Sequence, residues 1–325
     1  MEFTHIAHVE KKVSRIGLGT WAIGGWMWGG TDEQIALNAL LKGFDMGITL
    51  VDTAPVYGFG KSEELVGKAV KLFGKREQIV IATKVGLSWQ NKTISRNSSR
   101  KRILQEIEDS LTRLQVDYID LYQVHWPDLT TPFSETASAL KELLDAGKIH
   151  AIGVSNFTPQ QMDEFRKFAP LHANQPPFNL FEREAERTVL SYCLEHQIAT
   201  LGYGSLCRGL LSGKIQKETH FQGDDVRKID PKFQEPRFAD YLTCVERLKN
   251  WAMKKHQRSL LSLAVRWSLD KGINTALWGV RKPEQLHDMN EVWGWKLSQS
   301  DFQEIDQILS DTIEAPVGAG FMSPP

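Results

Sequence analysis

The amino-acid sequence predicts a (β/α)8 TIM barrel with an amino-terminal β-hairpin and extra carboxyl-terminal helices. The chain of 325 residues contains eight short, continuously apolar segments, which are typical of parallel strands buried on both faces. A longer segment with helical periodicity of apolar residues follows each of them. Eight strand–helix units suit a barrel of this length, whereas no second topological half or linker indicates a doubly wound sheet. We therefore expect active-site groups at the carboxyl ends of the strands.

The strand and helix segments alternate regularly along the chain. In the first helix, Leu37, Leu40 and Phe44 repeat at helical spacing, and Gly47 ends the pattern. The predicted strands are residues 15–21, 48–54, 79–86, 118–126, 150–157, 171–178, 198–206 and 273–279. The predicted helices are residues 32–47, 62–74, 99–114, 134–146, 159–168, 183–196, 238–256 and 283–292.

The seventh unit is larger than the others. A charged stretch rich in Gly, Asp and Pro runs from about residue 206 to 237, before two consecutive helices. Long loops of this kind are usually functional, so we predict a cofactor or lid loop here rather than a domain boundary. The whole chain, residues 1–325, is accordingly predicted to form a single barrel domain.

The composition argues against several classes of function. A net charge of −1 provides no electrostatic attraction for nucleic acid or for an anionic membrane surface. No apolar run approaches the roughly 18 residues of a membrane span, and the amino terminus lacks a signal-peptide core. The three cysteines are widely spaced and form no disulfide or metal motif. We expect a cytoplasmic protein with a small-molecule substrate, monomeric or weakly homo-oligomeric, that needs no metal ion.

The stretch GFGKS at residues 58–62 resembles a nucleotide-binding loop. A Walker A loop requires a glycine where the chain has Pro55, and a dinucleotide fingerprint requires a third glycine where Glu63 would repel pyrophosphate. Ser62 as a helix N-cap, with acidic residues in the first turn, is the simpler explanation. We therefore predict that no nucleotide binds at this stretch.

Polar residues stand at the ends of three consecutive predicted strands. Asp52 closes the second strand, with Tyr57 in the loop beyond it, while Lys84 and His125 close the third and fourth strands. A charged residue inside an apolar strand is costly unless it is paired, so we expect Asp52 and Lys84 to pair across adjacent strands. Each residue alone also fits a satisfied polar group at the barrel rim. The four together predict a catalytic site.

Longer motifs occur in a fixed order along nearly the whole chain. They are GLGTWAIGG, DTAPVYGFGKSEELVGKAV, ATKVG, VHWPD, GVSNF, NQPPFNLFER, YGSLCRGLLSGK and GVRKPEQL. Together with the four strand-end residues, this order resembles that of the aldo-keto reductase family. The versions YGSLCRGLLSGK and DDVRKIDPKFQEPRF are most similar to the bacterial stress-associated, NADPH-dependent branch. The resemblance implies reduction of aldehydes and ketones to alcohols.

The resemblance assigns Asp52, Tyr57, Lys84 and His125 to a catalytic tetrad, and their chemistry suits that role. Tyr57 would donate a proton to the carbonyl oxygen, although its ordinary pKa of about 10 disfavours the phenolate. We expect the Lys84 ammonium to lower the pKa of Tyr57, so that the same group acts as a base in oxidation. Asp52 would keep Lys84 charged and oriented. His125 would donate a hydrogen bond to the substrate oxygen.

The resemblance also implies NADPH or NADP as the cofactor. Ser155, Asn156 and Gln175 match the residues that hold the nicotinamide carboxamide, and Tyr203 matches the aromatic residue on which the ring stacks. Arg281 suits a 2′-phosphate, which favours NADP over NAD. The predicted cofactor residues are Gly19, Thr20, Trp21, Asp52, Ser155, Asn156, Gln175, Tyr203, Gly204, Ser205, Leu206, Arg208, Leu211, Gly213, Lys214, Gly279, Arg281 and Gln285.

The chain departs from the family pattern at the adenosine end of the predicted site. Many members have Asn or Glu four residues after the position of Gln285, whereas this chain has Met289.

Tryptophans lie at or just beyond the predicted strand ends. Five of them flank the four catalytic candidates, namely Trp21, Trp26, Trp28, Trp89 and Trp126. Together they predict an apolar substrate pocket for a hydrophobic or aromatic aldehyde.

Two other functions fit parts of this pattern. The chain also resembles potassium-channel β subunits, which are regulatory NADPH-binding modules with the same tetrad, although those usually have an extension before the first hairpin. A barrel aldolase would use Lys84 as a Schiff-base nucleophile, but a lysine bonded to Asp52 is poorly suited to that role.

Overall fold

The computed structural model describes residues 1–325, and eight parallel strands form a closed barrel. The barrel strands pair in chain order, and the last pairs with the first. The eight predicted barrel strands and the predicted amino-terminal hairpin are confirmed. The strands are β1 (Phe3–Thr4), β2 (Val13–Ser14), β3 (Ile16–Gly19), β4 (Leu50–Asp52), β5 (Val80–Val85), β6 (Leu87–Gln90), β7 (Thr93–Arg96), β8 (Ile119–Val124), β9 (Ile149–Ser155), β10 (Ala173–Gln175), β11 (Ala199–Gly202) and β12 (Thr275–Gly279), of which β1–β2 and β6–β7 are separate hairpins.

Helices connect and surround the barrel strands. The predicted helix at residues 283–292 is a 3-10 helix, Pro283–Val292. None of the helices combines the length and the apolar character that a membrane crossing requires. The α-helices are α1 (Glu33–Asp45), α2 (Lys61–Phe73), α3 (Arg100–Leu114), α4 (Phe133–Asp145), α5 (Pro159–Arg166), α6 (Glu184–Arg187), α7 (Val189–Glu195), α8 (Arg237–His256), α9 (Leu260–Asp270) and α10 (Gln299–Thr312).

Apolar side chains fill the barrel interior and close one of its ends. Leu50, Val80 and Leu121 are fully buried and belong to one cluster inside the strands. Ile6 and Val9, from the connection between β1 and β2, pack into the same cluster. This connection therefore adds to the apolar core inside the strands, while the two cavities described below lie at the carboxyl ends.

The GFGKS stretch is the start of α2. Gly60 adopts a left-handed conformation with a φ of 101° at the N-cap, so the helix begins at Lys61. The prediction that Ser62 is the N-cap is wrong, because Ser62 lies inside the first turn. Its buried hydroxyl instead lies 2.7 Å from Oγ1 of Thr20 and 2.9 Å from Oγ1 of Thr53.

The hairpin β6–β7 is absent from the sequence prediction. Its two-residue turn is Asn91–Lys92, with φ values of 48° and 66°. Turns of this type usually contain Asn-Gly, so a lysine at the second position removes the signal that identifies a hairpin from sequence. The hairpin follows β5, so its residues lie beside the carboxyl end of the barrel, where the sequence did not predict them.

Candidate active site

The four catalytic candidates meet at the carboxyl ends of β4, β5 and β8. Lys84 Nζ donates to Asp52 Oδ1 at 2.6 Å and to the Thr53 carbonyl at 2.9 Å. The same ammonium lies 3.3 Å from the Tyr57 hydroxyl. The rings of Tyr57 and His125 meet edge to face, with centroids 5.6 Å apart. The expected pairing of Asp52 with Lys84 is therefore present in the structure.

The Asp52–Lys84 pair is removed from solvent. Lys84 is 0% exposed and Asp52 is 2% exposed. Burial lowers the pKa of Lys84, and the neighbouring Asp52 carboxylate acts in the opposite direction. A buried ammonium that is held by a carboxylate and a carbonyl has little freedom to move, so it fixes the position of the hydroxyl beside it.

Burial also sets the protonation states of the other two candidates. It raises the pKa of Tyr57 well above 10.0, and the Asp52 carboxylate raises it further. Desolvation of the phenolate therefore dominates the pKa of Tyr57 in this structure, and the expectation that the Lys84 ammonium, 3.3 Å away, favours the phenolate stays a prediction. Burial, together with Lys84, lowers the pKa of His125 well below 6.5. At neutral pH, Tyr57 is a protonated donor and His125 is uncharged.

Two buried glutamines hold the second oxygen of Asp52. Gln123 Nε2 donates to Oδ2 at 3.1 Å, and Gln175 Nε2 donates to it at 2.8 Å. Gln123 was missed in the sequence analysis, although a polar residue two positions before His125 in an apolar strand was a usable signal. With Lys84 on Oδ1, the Asp52 carboxylate is bound on both oxygens.

The residues matched to the carboxamide form a hydrogen-bonded group next to the tetrad. Ser155 Oγ donates to the Gln175 carbonyl at 2.8 Å, and Asn156 Nδ2 donates to the His125 carbonyl at 3.0 Å. The Tyr203 hydroxyl donates to Asn156 Oδ1 at 2.9 Å. These bonds connect the predicted cofactor residues directly to the strand that carries His125.

The loop that carries Tyr57 contacts the loop after β3 through main-chain atoms. A Cβ on Gly58 would lie 2.1 Å from the Gly24 carbonyl oxygen, and one on Gly24 would lie 2.5 Å from the Tyr57 carbonyl carbon. Gly58 also has a φ of 65°, which glycine adopts without a steric penalty. The two loops therefore approach each other as closely as main chains allow.

A larger cavity of about 540 Å³ extends from Tyr57 across the ends of β10, β11, β12 and β3. Five cationic side chains line it, namely Arg208, Lys214, Arg227, Arg281 and Lys282. Predicted cofactor residues that line this cavity are Gly19, Thr20, Trp21, Asp52, Gln175, Tyr203, Gly204, Ser205, Leu206, Arg208, Lys214, Gly279, Arg281 and Gln285. Of the others, Ser155 and Asn156 line a neighbouring cavity, while Leu211 and Gly213 line neither.

Arg208 reaches the larger cavity from a buried cluster of charges. Its guanidinium donates to Glu182 at 2.5 Å and to Asp230 at 2.6 Å. Lys232 Nζ lies 2.9 Å from the same Glu182 carboxylate. The guanidinium of Arg208 is therefore largely neutralised by carboxylates.

The adenosine end predicted from sequence is built around Arg281. Its guanidinium donates to the carbonyls of Trp28 at 3.0 Å and Gly30 at 2.6 Å, and Gln285 Oε1 accepts from its main-chain N–H at 2.7 Å. Burial, and to a smaller extent Arg227, lowers the pKa of Arg281. The departure at Met289 falls outside the cavity, because this side chain is fully buried in the core.

Residues 222–229, which we call the strap, contribute Arg227 to the lining of the larger cavity. Asp224 accepts hydrogen bonds from the main-chain N–H groups of Met27 at 2.9 Å and Gly29 at 3.0 Å. The Val226 N–H donates to the Met27 carbonyl at 2.9 Å. The strap is thus bonded to the loop after β3 in this structure.

A smaller cavity of about 380 Å³ opens on the other side of Tyr57. Of the predicted pocket tryptophans, Trp21, Trp26 and Trp126 line it, while Trp28 lines the larger cavity together with Trp21. Trp89 lines neither and packs against Phe59, with ring centroids 5.6 Å apart. The apolar lining residues that the sequence did not predict are Met27, Val56, Leu87, Ile94, Val226, Ile229, Phe321, Met322, Pro324 and Pro325.

Comparison with known proteins places this arrangement in context. The family model described as "Aldo/keto reductase family" matches residues 15–310. The chain is 57% identical to the aldo-keto reductase YhdN of Bacillus subtilis (strain 168), covering 100% of this chain and 98% of that protein. It is 35% identical to the NADH-specific methylglyoxal reductase of Escherichia coli (strain K12), covering 89% and 92%. The structure of glycerol dehydrogenase AKR11B4 from Gluconobacter oxydans superposes with a TM-score of 0.89 at 47% identity, covering 99% of both chains.

Proposed function

The chain belongs to the aldo/keto reductase family, and we propose that it reduces neutral, apolar aldehydes and ketones with NADPH, using Tyr57 as the general acid. As a member of the family it is an NAD(P)-dependent oxidoreductase that acts on carbonyl groups. The observation that carries the proposal is the position of Tyr57, which lines both cavities. A proton donor at this junction faces a cofactor on one side and a carbonyl on the other.

The larger cavity fits a phosphorylated dinucleotide. Lys214, Arg227, Arg281 and Lys282 supply positive charge for its phosphates, and the ring of Tyr203 lies at the junction of the cavities. NADPH, when bound, supplies the hydride for the carbonyl carbon. The chain supplies the proton and the orientation of the substrate.

Each member of the tetrad has a separate task in this mechanism. Tyr57 donates its proton to the carbonyl oxygen, because burial keeps the hydroxyl protonated. Lys84, 3.3 Å away, stabilises the negative charge that develops on the tyrosine oxygen. Asp52 orients Lys84, and neutral His125 donates an N–H toward the substrate oxygen. In the oxidative direction Tyr57 must first lose its proton to act as a base, and the raised pKa keeps the phenolate scarce at neutral pH.

Arg281→Ala is expected to weaken NADPH binding about tenfold and NADH binding by a smaller factor. The guanidinium uses one N–H of each terminal nitrogen on Trp28 and Gly30, which leaves other N–H groups for a 2′-phosphate. The measurement is the Kd of each cofactor by quenching of tryptophan fluorescence. Arg281→Lys, which keeps the charge, should retain most of the preference. Equal losses for NADPH and NADH in Arg281→Ala would refute the role of Arg281 in cofactor choice.

Glyceraldehyde 3-phosphate is expected to have a kcat/KM about 100-fold below that of glyceraldehyde, because the phosphate would be desolvated without a cationic partner. No Lys, Arg, Asp or Glu side chain lines the smaller cavity. Steady-state kinetics with the two aldehydes isolates the effect of the phosphate, and benzaldehyde tests the apolar preference directly. Similar kcat/KM values for glyceraldehyde and its phosphate would show that this cavity does not select by charge.

The proposed function is tested by following NADPH absorbance with a panel of neutral aldehydes. Turnover supports the enzyme, whereas tight NADPH binding without turnover on any aldehyde would favour a regulatory NADPH-binding module. Borohydride trapping of a substrate on Lys84 would instead favour an aldolase, for which a fully buried, carboxylate-bound lysine is poorly suited.

We also propose that the protein acts in the cytoplasm, as a monomer or weak homo-oligomer, and binds no nucleic acid. All three cysteines are free and buried, which suits a reducing compartment. Light scattering combined with size-exclusion chromatography measures the oligomeric state.

A further inference from the structure

The outer wall of the smaller cavity comes from segments outside the barrel. The hairpin β6–β7 contributes Ile94, the strap contributes Val226 and Ile229, and residues 315–325 contribute Phe321 and Met322. We call residues 315–325 the wall segment. It follows α10 and contains only one short 3-10 turn, so contacts with other segments determine where it lies.

Arg96, the last residue of β7, holds one end of the wall segment. Its Nε and Nη2 donate to the Pro324 carbonyl at 3.1 and 2.7 Å, and Nη2 donates to Ser323 Oγ at 2.7 Å. Nη1 donates to the Pro127 carbonyl at 2.7 Å, and the guanidinium carbon lies 5.7 Å from the centre of the Trp126 ring. No carboxylate lies within ion-pair distance of Arg96, so its hydrogen bonds connect three segments around the cavity.

The other end of the wall segment is held separately. Lys232 Nζ donates to the Gly318 carbonyl at 3.3 Å, and the Val317 N–H donates to the Tyr241 hydroxyl at 3.2 Å. The Phe321 ring lies 5.4 Å from the guanidinium carbon of Arg208. Phe321 and Met322 therefore lie between two parts of the segment that are hydrogen-bonded to the rest of the chain. Loss of the Arg96 anchor removes the hydrogen bonds that Ser323 and Pro324 make to another segment, and only the turn bonds within residues 319–323 remain.

We infer that Arg96 is a specificity-determining positioning residue, which selects bulky apolar carbonyls by holding Phe321 and Met322 as a wall of the smaller cavity. This inference rests on the proposed carbonyl reduction. A bulky aldehyde contacts the wall in the ground state and in the transition state alike, so the wall acts mainly on KM. A small aldehyde bound beside Tyr57 does not extend to the wall.

The test compares 2-naphthaldehyde with propanal in wild type, Arg96→Ala and Arg96→Lys. In Arg96→Ala, the KM for naphthaldehyde is expected to rise about tenfold more than the KM for propanal, with similar changes in kcat for both. Arg96→Lys keeps the charge but not the planar fork of donors, so an intermediate change is expected. Hydrogen exchange of the wall segment should become faster in Arg96→Ala. Arg100→Ala is the control, because Arg100 pairs with Glu142 on the exposed surface and should not change the ratio.

Equal KM increases for the two aldehydes, or unchanged hydrogen exchange of the wall segment, would overturn the inference. So would a change confined to kcat. Hydrogen exchange needs no turnover, so it decides whether Arg96 anchors the segment even if wild type reduces neither aldehyde. If wild type reduces neither aldehyde, the proposed carbonyl reduction fails and the claim about specificity fails with it. The hydrogen-exchange result then still shows whether Arg96 anchors the wall segment.

Discussion

Tyr57→Phe is expected to lower kcat/KM for aldehyde reduction about 1,000-fold, because it removes the general acid and leaves the hydride donor in place. The change removes a single oxygen atom. The ring contacts with Trp21 and His125, at centroid distances of 6.2 and 5.6 Å, remain possible. Binding of NADPH should change less than threefold by fluorescence titration, whereas the rate of NADPH oxidation falls. An unchanged rate would show that another group donates the proton.

Tyr203→Phe is the matched control for Tyr57→Phe. It also removes one hydroxyl from a tyrosine that lines both cavities, but that hydroxyl donates to Asn156 rather than to the junction. A loss of less than about tenfold in kcat/KM is expected.

Because burial raises the pKa of Tyr57 above 10.0, wild-type reduction should show no loss from tyrosine ionisation below about pH 9.

Lys84→Met is expected to abolish most activity and to destabilise the protein by about 3 kcal/mol, because it leaves the Asp52 carboxylate buried without its cation. Asp52 keeps the amide hydrogen bonds from Gln123 and Gln175, which limits the loss. Urea unfolding followed by tryptophan fluorescence measures the stability. The same preparation gives the rate of NADPH oxidation.

The double variant Asp52→Asn/Lys84→Met separates the two effects. Removing both charges leaves no unpaired ion, so much of the lost stability should return. Activity should not return, because no ammonium remains beside the Tyr57 hydroxyl. A double variant as unstable as Lys84→Met would show that shape rather than charge causes the destabilisation.

The positions of Asp52, Lys84 and His125 could be predicted because each ends an apolar strand, and parallel strands bring their carboxyl ends together. The barrel strands could be predicted for the same reason, since their apolar runs are local in sequence. The effect of burial on the pKa of Tyr57 could not be predicted, because the solvent exposure of a loop residue depends on every segment folded over it.

The wall of the smaller cavity lies beyond local sequence analysis. Arg96 contacts Pro324 across 228 positions, and neither residue has a periodic pattern around it. The tryptophans illustrate the same limit, because Trp28 meets Trp21 edge to face yet lines only the larger cavity, and Trp89 lines neither cavity. A loop's path, rather than its composition, determines which cavity its side chains line.

The contact between Gly24 and Gly58 has a consequence for altering this enzyme by design. Because main-chain atoms set the place of Tyr57, side chains that line the smaller cavity can be exchanged without changing that support. Ile94, Val226 and Phe321 all come from segments outside the barrel, so libraries at these positions would vary the proposed substrate pocket while the position of Tyr57 stays the same. Evolution of new substrate ranges on this scaffold has the same freedom, since chemistry and recognition are encoded in different parts of the chain.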